Sequence, residues 1–103
     1  MIDKIKEFNE NKLKHKEPMP VYARLMDIQS ELGELSKEYL KNSNYGVDEF
    51  SKTEDFELEF GDVLYSLLSL GIELDIDSEN AVGKVLAKYQ SRIDAKNNIG
   101  SGR

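Results

Sequence analysis

Cysteine is absent from this 103-residue chain, which excludes disulfides, zinc–thiolate sites and thiol catalysis. Histidine occurs once, as His15, beside Lys14 and three residues from Lys12. A di-iron bundle needs two Glu-x-x-His motifs, so that chemistry is excluded as well, and His15 reads as a surface residue. No apolar run approaches the ~18 residues of a membrane helix. The opening Met1-Ile-Asp-Lys-Ile-Lys6 alternates charged and apolar residues and lacks the hydrophobic segment of a signal peptide. The expectation is a cytoplasmic protein without a membrane partner. Basic charge is scarce: 14 Lys and Arg stand against 20 Asp and Glu, a net charge of −6, which argues against general nucleic-acid binding. Nothing has the alternating period of a strand, and no repeat or low-complexity segment is visible. Asp75-Ile-Asp77-Ser-Glu79 opens like a calcium loop, but Asn80 and Leu86 stand where glycine and glutamate are required. Helix capping explains these residues instead.

What is present is an acidic helical body with a basic end. Residues 1–83 carry 9 basic and 19 acidic groups, and residues 84–103 carry 5 basic groups and only Asp94. Such asymmetry points to an end that meets an anion or the body itself. The length fits one domain, 1–103, small enough that a partner chain helps to complete its core.

Apolar periodicity predicts four helices. The first runs roughly from Ile2 to Leu13, with Ile2, Ile5 and Phe8 on one side, and ends before Glu17-Pro-Met-Pro20. The second, Val21 to Lys41, carries Leu25, Ile28, Leu32, Leu35 and Tyr39 at three- and four-residue spacing. Asn42-Ser-Asn-Tyr-Gly46 is rich in turn formers and ends it. The third, Glu54 to Glu73, is apolar on two sides: Phe56, Phe60, Val63 and Leu67 on one, Leu58, Tyr65, Leu68 and Ile72 on the other. A helix apolar on two sides is usually buried on two sides. Hence a homo-oligomer, dimer or tetramer, is expected, with the second set at its interface. The fourth helix starts at Asp77 or Ser78. Val82, Val85, Leu86, Tyr89 and Ile93 form its packing face, and Lys84, Lys88, Arg92 and Lys96 lie along another. Residues 97–103 read as a frayed tail. The expected fold is all-α: a helical hairpin within a four-helix bundle completed by oligomerisation.

Two acidic motifs carry the chemistry. Glu31-Leu-Gly-Glu34 is followed, after 24 residues, by Glu59-Phe-Gly-Asp62. Carboxylates three residues apart share a helix face. In an antiparallel hairpin centred near Asp48, Glu34 faces Asp62, and Glu31 lies between the levels of Asp62 and Ser66. Four carboxylates brought together cannot all stay ionised without a cation, and hard oxygen donors suit Mg²⁺, with Mn²⁺ as a substitute. Either acidic pair alone is an ordinary solvated helix face; the matched register raises the metal reading above that. The basic stripe of the fourth helix suits phosphate oxygens.

With these residues in view, the chain resembles the MazG-like all-α nucleoside triphosphate pyrophosphohydrolases. Glu31-Leu-Gly-Glu34-Leu-Ser-Lys-Glu38 is similar to that family's E-x-G-E-L block. Glu59-Phe-Gly-Asp62-Val-Leu is similar to its E-x-G-D-V-L block, and Lys88-Tyr-Gln-Ser-Arg92 to its closing K-[FY]-x-x-R helix. The resemblance runs from about Val21 to Arg92. It implies Mg²⁺ held by Glu31, Glu34, Glu59 and Asp62, and hydrolysis of a nucleoside triphosphate to the monophosphate and pyrophosphate, a nucleotide-pool house-cleaning reaction. Within that chemistry Glu34 or Glu38 is the expected orienter of the attacking water. Lys88 and Arg92, with Lys84, are the expected phosphate ligands. The first helix lacks the tryptophan that stacks on the base in some relatives, and the 42–54 loop matches no subgroup, so the base preference stays open. So do a different pyrophosphate substrate, such as phosphoribosyl-ATP, and a non-catalytic helical interaction module.

Overall fold

The computed structural model describes residues 1–12 and 20–101. Four helices follow one another: α1 (Ile2–Lys12), α2 (Val21–Asn42), α3 (Glu54–Glu73) and α4 (Ser78–Ser101). No strand occurs among the described residues, as the periodicity requires. The expected end of the first helix at Leu13, the surface placement of His15 and the break at Pro18 lie outside the described residues, as do residues 102–103.

Helices α2 and α3 form the antiparallel hairpin, and contacts along its length set its register. Near the turn the Asn42 side-chain amide donates to Thr53 Oγ1 at 3.0 Å, and the Ser51 amide donates to the Asn42 carbonyl at 3.2 Å. Tyr39 stacks on Phe50 at 4.6 Å between ring centroids, and Phe50 meets Phe56 edge-on at 4.9 Å. At the far end the Arg24 guanidinium pairs with Glu73 at 2.6 Å. Asn42 with Thr53 and Arg24 with Glu73 match the levels expected for a hairpin centred near Asp48. Thr53 starts α3 by accepting from the Phe56 amide at 3.1 Å. Glu54, Asp55 and Glu57 in its first turn complement the helix dipole.

Helix α1 lies on the other side of α3. Tyr65 donates its hydroxyl proton to Asn9 Oδ1 at 2.6 Å, Asn9 donates to Ser69 Oγ at 3.2 Å, and Phe8 meets the Tyr65 ring edge-on. Tyr65 is thus a packing residue. Ser66 and Ser69 are buried; their small side chains let the neighbouring helices approach. Leu68 and Leu70 form the buried apolar core. This removes Leu68 and Tyr65 from the interface expected on α3. Leu68 belongs to the chain's own core, and Tyr65 is taken up by α1. Half-open on α3 are Leu58, from the set expected at the interface, and Phe60 and Leu67, from the opposite set; on α2, Leu25, Leu32 and Tyr39 are half-open too.

A tight link joins α3 to α4. Ile76 donates its amide to the Gly71 carbonyl at 2.8 Å, and Asp77 caps α4 by accepting from the Asn80 amide at 3.0 Å. A Cβ at Gly71 would meet Ser78 Oγ at 3.0 Å, so a side chain there would require the serine hydroxyl to shift. Helix α4 then leaves the body. Residues 79–97 are all exposed, the expected packing face of Val82, Val85, Leu86, Tyr89 and Ile93 included. The radius of gyration is 18.6 Å, against ~13 Å for a compact chain of this length. The expected bundle is therefore three helices within one chain plus a projecting fourth. That helix also continues to Ser101, past the tail expected from 97, because Asn97 and Asn98 lower helix propensity without breaking the hydrogen-bond ladder as proline would.

Candidate metal centre

The hairpin register brings the two acidic motifs together. One carboxylate oxygen from each of Glu31, Glu59 and Asp62 lies within 4.8 Å of the others, Glu31 and Glu59 half-buried and Asp62 exposed. Glu31 comes from α2, and Glu59 and Asp62 from successive turns of α3. Partial burial pushes the Glu31 carboxyl above its usual range, and the charges of Asp62, Asp27, Glu59 and Glu34 push it further. Glu59 is raised likewise, by burial first and then by Asp62, Glu34, Glu38 and Asp55. Every charge acting on the two is a carboxylate. Glu34 therefore sits beside the trio and not within its tightest spacing, and Glu38 sits one turn further along α2.

The expected phosphate ligands are elsewhere. Lys84, Lys88 and Arg92 lie on the exposed stretch of α4, and among the described residues no ion pair links α4 to the hairpin. The Lys88 ammonium turns over its own neighbour, 5.6 Å from the Tyr89 ring centroid. Within one chain the cations and the carboxylates stay apart.

Two features were not singled out from the sequence. Arg24 and Glu73 tie the open end of the hairpin, and no helical spacing links residues 49 positions apart. At the other end a cleft of about 330 Å³ is lined by Glu34, Lys37, Glu38, Leu40, Lys41 and Tyr45. The turn formers at 42–46 announced a turn there, but not where Tyr45 would lie. A larger cleft of about 470 Å³ opens between Met1, Ile2, Asp3 and Lys6 and the α3–α4 link. It contains none of the acidic trio, so its size says nothing about that chemistry.

The chain is similar to the uncharacterized protein YpjD of Bacillus subtilis (strain 168). The two are 41% identical over 78 residues, which cover 73% of this chain and 66% of YpjD. The chain thus spans a little under two thirds of that relative's length. No protein-family model matches the chain, and no solved structure matches it.

The donor set fits a hard divalent cation. Octahedral ligands about 2.1 Å from Mg²⁺ lie roughly 3–4 Å apart, so small side-chain rotations bring the trio to that spacing. All donors are carboxylate oxygens, and no Lys or Arg competes for them by an ion pair among the described residues.

Proposed function

We propose that this protein is a Mg²⁺-dependent pyrophosphohydrolase that cleaves a nucleoside triphosphate to the monophosphate and pyrophosphate in the cytoplasm, clearing the nucleotide pool. One observation carries the reading. Glu31, Glu59 and Asp62, from two motifs on two helices, converge to within 4.8 Å with no cation among the charges acting on them. Likeness to the MazG-like motifs supports it from the sequence.

In this reading Glu31, Glu59 and Asp62, with Glu34 beside them, hold Mg²⁺ (or Mn²⁺). The ion supplies positive charge for phosphate oxygens in a site that would otherwise repel a polyphosphate. Glu34 or Glu38 orients a water toward the α–β anhydride and accepts its proton. The water oxygen bonds to phosphorus, the bridging P–O bond breaks, and pyrophosphate departs. Lys88 and Arg92, with Lys84, neutralise the phosphates. Because α4 projects from its own chain, they reach a site only in a homo-oligomer, dimer or tetramer. The exposed α4 stripe, facing away from any partner in the chain, also favours a second reading, a helical interaction module without catalysis.

Pyrophosphate release from a panel of nucleoside triphosphates, with and without Mg²⁺, separates the two. Metal-dependent release that is lost in Glu59→Gln supports the hydrolase. No release from any member of the panel, nor from phosphoribosyl-ATP assayed beside it, leaves the module.

A further inference from the structure

The cleft at the C-terminal end of α2 lies on the same helix face as the carboxylates. Lys41 is three residues from Glu38 and seven from Glu34, a spacing that stacks the three along one side. Tyr45 closes the cleft beyond them. Its amide donates to the Leu40 carbonyl at 2.6 Å, which holds it level with Leu40. Six residues of helix separate Glu34 from that level, about 9 Å at 1.5 Å per residue. That is the order of the distance between the α-phosphate of a nucleotide and its base.

Tyr45 is 76% exposed, and its φ of 58° lies in the left-handed region between Asn44 at 49° and Gly46 at 87°. A bulky side chain in that conformation is an outlier that persists only where its surroundings hold it. Here the holding group is buried Ser43, whose hydroxyl accepts from the Gly46 amide at 3.1 Å and whose carbonyl accepts from the Asp48 amide at 2.9 Å. The backbone that carries the ring is thus held, and the ring lies at the surface with no aromatic contact among the described residues. Beside it Lys37 and Lys41 form no ion pair. An unstacked aromatic ring in the turn after α2, Lys41 and Lys37 of α2, and the carboxylates of Glu38 and Glu34 thus follow one another toward the acidic trio.

We infer that this cleft is a nucleotide subsite: the base stacks on Tyr45, and Lys41, with Lys37, screens the phosphates that lead to the carboxylates. The inference rests on the hydrolase reading, whose phosphate end it extends to the base. Stacking recognises the π-face that every base has, so this subsite tolerates different bases.

The test is calorimetric titration, with Mg²⁺, of a nucleoside triphosphate carrying a methylene bridge between the α and β phosphorus atoms, and separately of inorganic triphosphate. The wild type should bind the nucleotide more tightly than triphosphate. Tyr45→Leu should weaken nucleotide binding about tenfold, the order expected for loss of one stacked base, and leave triphosphate binding within about twofold. Tyr45→Phe should bind as the wild type does. Lys41→Gln should weaken both ligands. Tyr45 is exposed, so unchanged helical circular dichroism will establish that each variant is folded. Nucleotide affinity indifferent to Tyr45→Leu, or equal loss of both ligands, overturns the subsite and leaves the hydrolase standing. A wild type that binds neither ligand overturns both.

Discussion

Leu86→Asp isolates the question of assembly, because within one chain it should do almost nothing. Leu86 is 60% exposed on a helix whose residues 79–97 are all exposed. Exposed substitutions of that kind change stability by ~0.5 kcal/mol or less. If α4 is covered by a second copy, the expectation differs sharply. Full burial of a leucine contributes about 1.5–3 kcal/mol, and just over half of that side chain remains to be buried, so its loss costs ~1–2 kcal/mol. An aspartate in the same place adds the penalty of a charge without a partner, several kcal/mol more. A total of ~3 kcal/mol or above weakens association at least 10²-fold. Sedimentation equilibrium over micromolar concentrations reads this directly: the wild type as dimer or tetramer, the variant as monomer with unchanged helical circular dichroism. A wild type that sediments as a folded monomer refutes the reasoning, and a variant with wild-type mass moves the interface off α4.

Glu59→Gln removes one charge and hardly any volume from the trio; pyrophosphate release should fall at least ~10²-fold, the scale for losing a key electrostatic group, while the helical signal persists. Full activity would exclude Glu59 from the metal site. Burial and neighbouring carboxylates raise Glu31 and Glu59 in the folded chain. The folded state therefore holds their protons more tightly than the unfolded one, and their contribution is present at low pH and lost as pH rises through the raised values. In chelator, the melting temperature should rise as pH is lowered from neutrality toward the ordinary carboxylate range. Excess Mg²⁺ should flatten that slope, and a melting temperature that falls throughout would contradict the crowding. Thr53→Ala removes the cap on the Phe56 amide and the acceptor of the Asn42 side chain, and should lower stability by about 1–2 kcal/mol; chemical denaturation showing no change would mean that water replaces both bonds.

Local chemistry made most helix boundaries legible. The apolar spacing of α3 predicts Glu54–Glu73, the observed span, and the structure adds the threonine cap and acidic first turn that begin it. The turn formers after Lys41 predict the end of α2 to within one residue. Asp77 and Ser78 both read as caps of α4, and the structure selects Asp77. The opposite end of α4 is less legible, and the helix runs on to Ser101, because asparagine and glycine weaken a helix without forbidding it. At the site, the sequence pointed to Glu31, Glu34, Glu59 and Asp62 as a group. The finer arrangement, a tight trio with Glu34 and Glu38 beside it, depends on side-chain reach across the hairpin.

What the sequence determined by itself was what neighbours in the chain decide: four helices, their faces, and two acidic pairs whose levels match once α2 folds back on α3. An apolar stripe states that a face seeks cover but not which surface supplies it, since burial of apolar area has no direction. Only the tertiary structure decided that Leu68 is buried in the chain's own core and Tyr65 is taken up by α1, that Leu58, Phe60 and Leu67 stay half open, and that the α4 stripe stays exposed beside the described residues. The same holds for charge. Lys84, Lys88 and Arg92 read as partners of the acidic motifs, but the short, capped link at Gly71–Asp77 directs α4 away from the hairpin and keeps them from the carboxylates of their own chain.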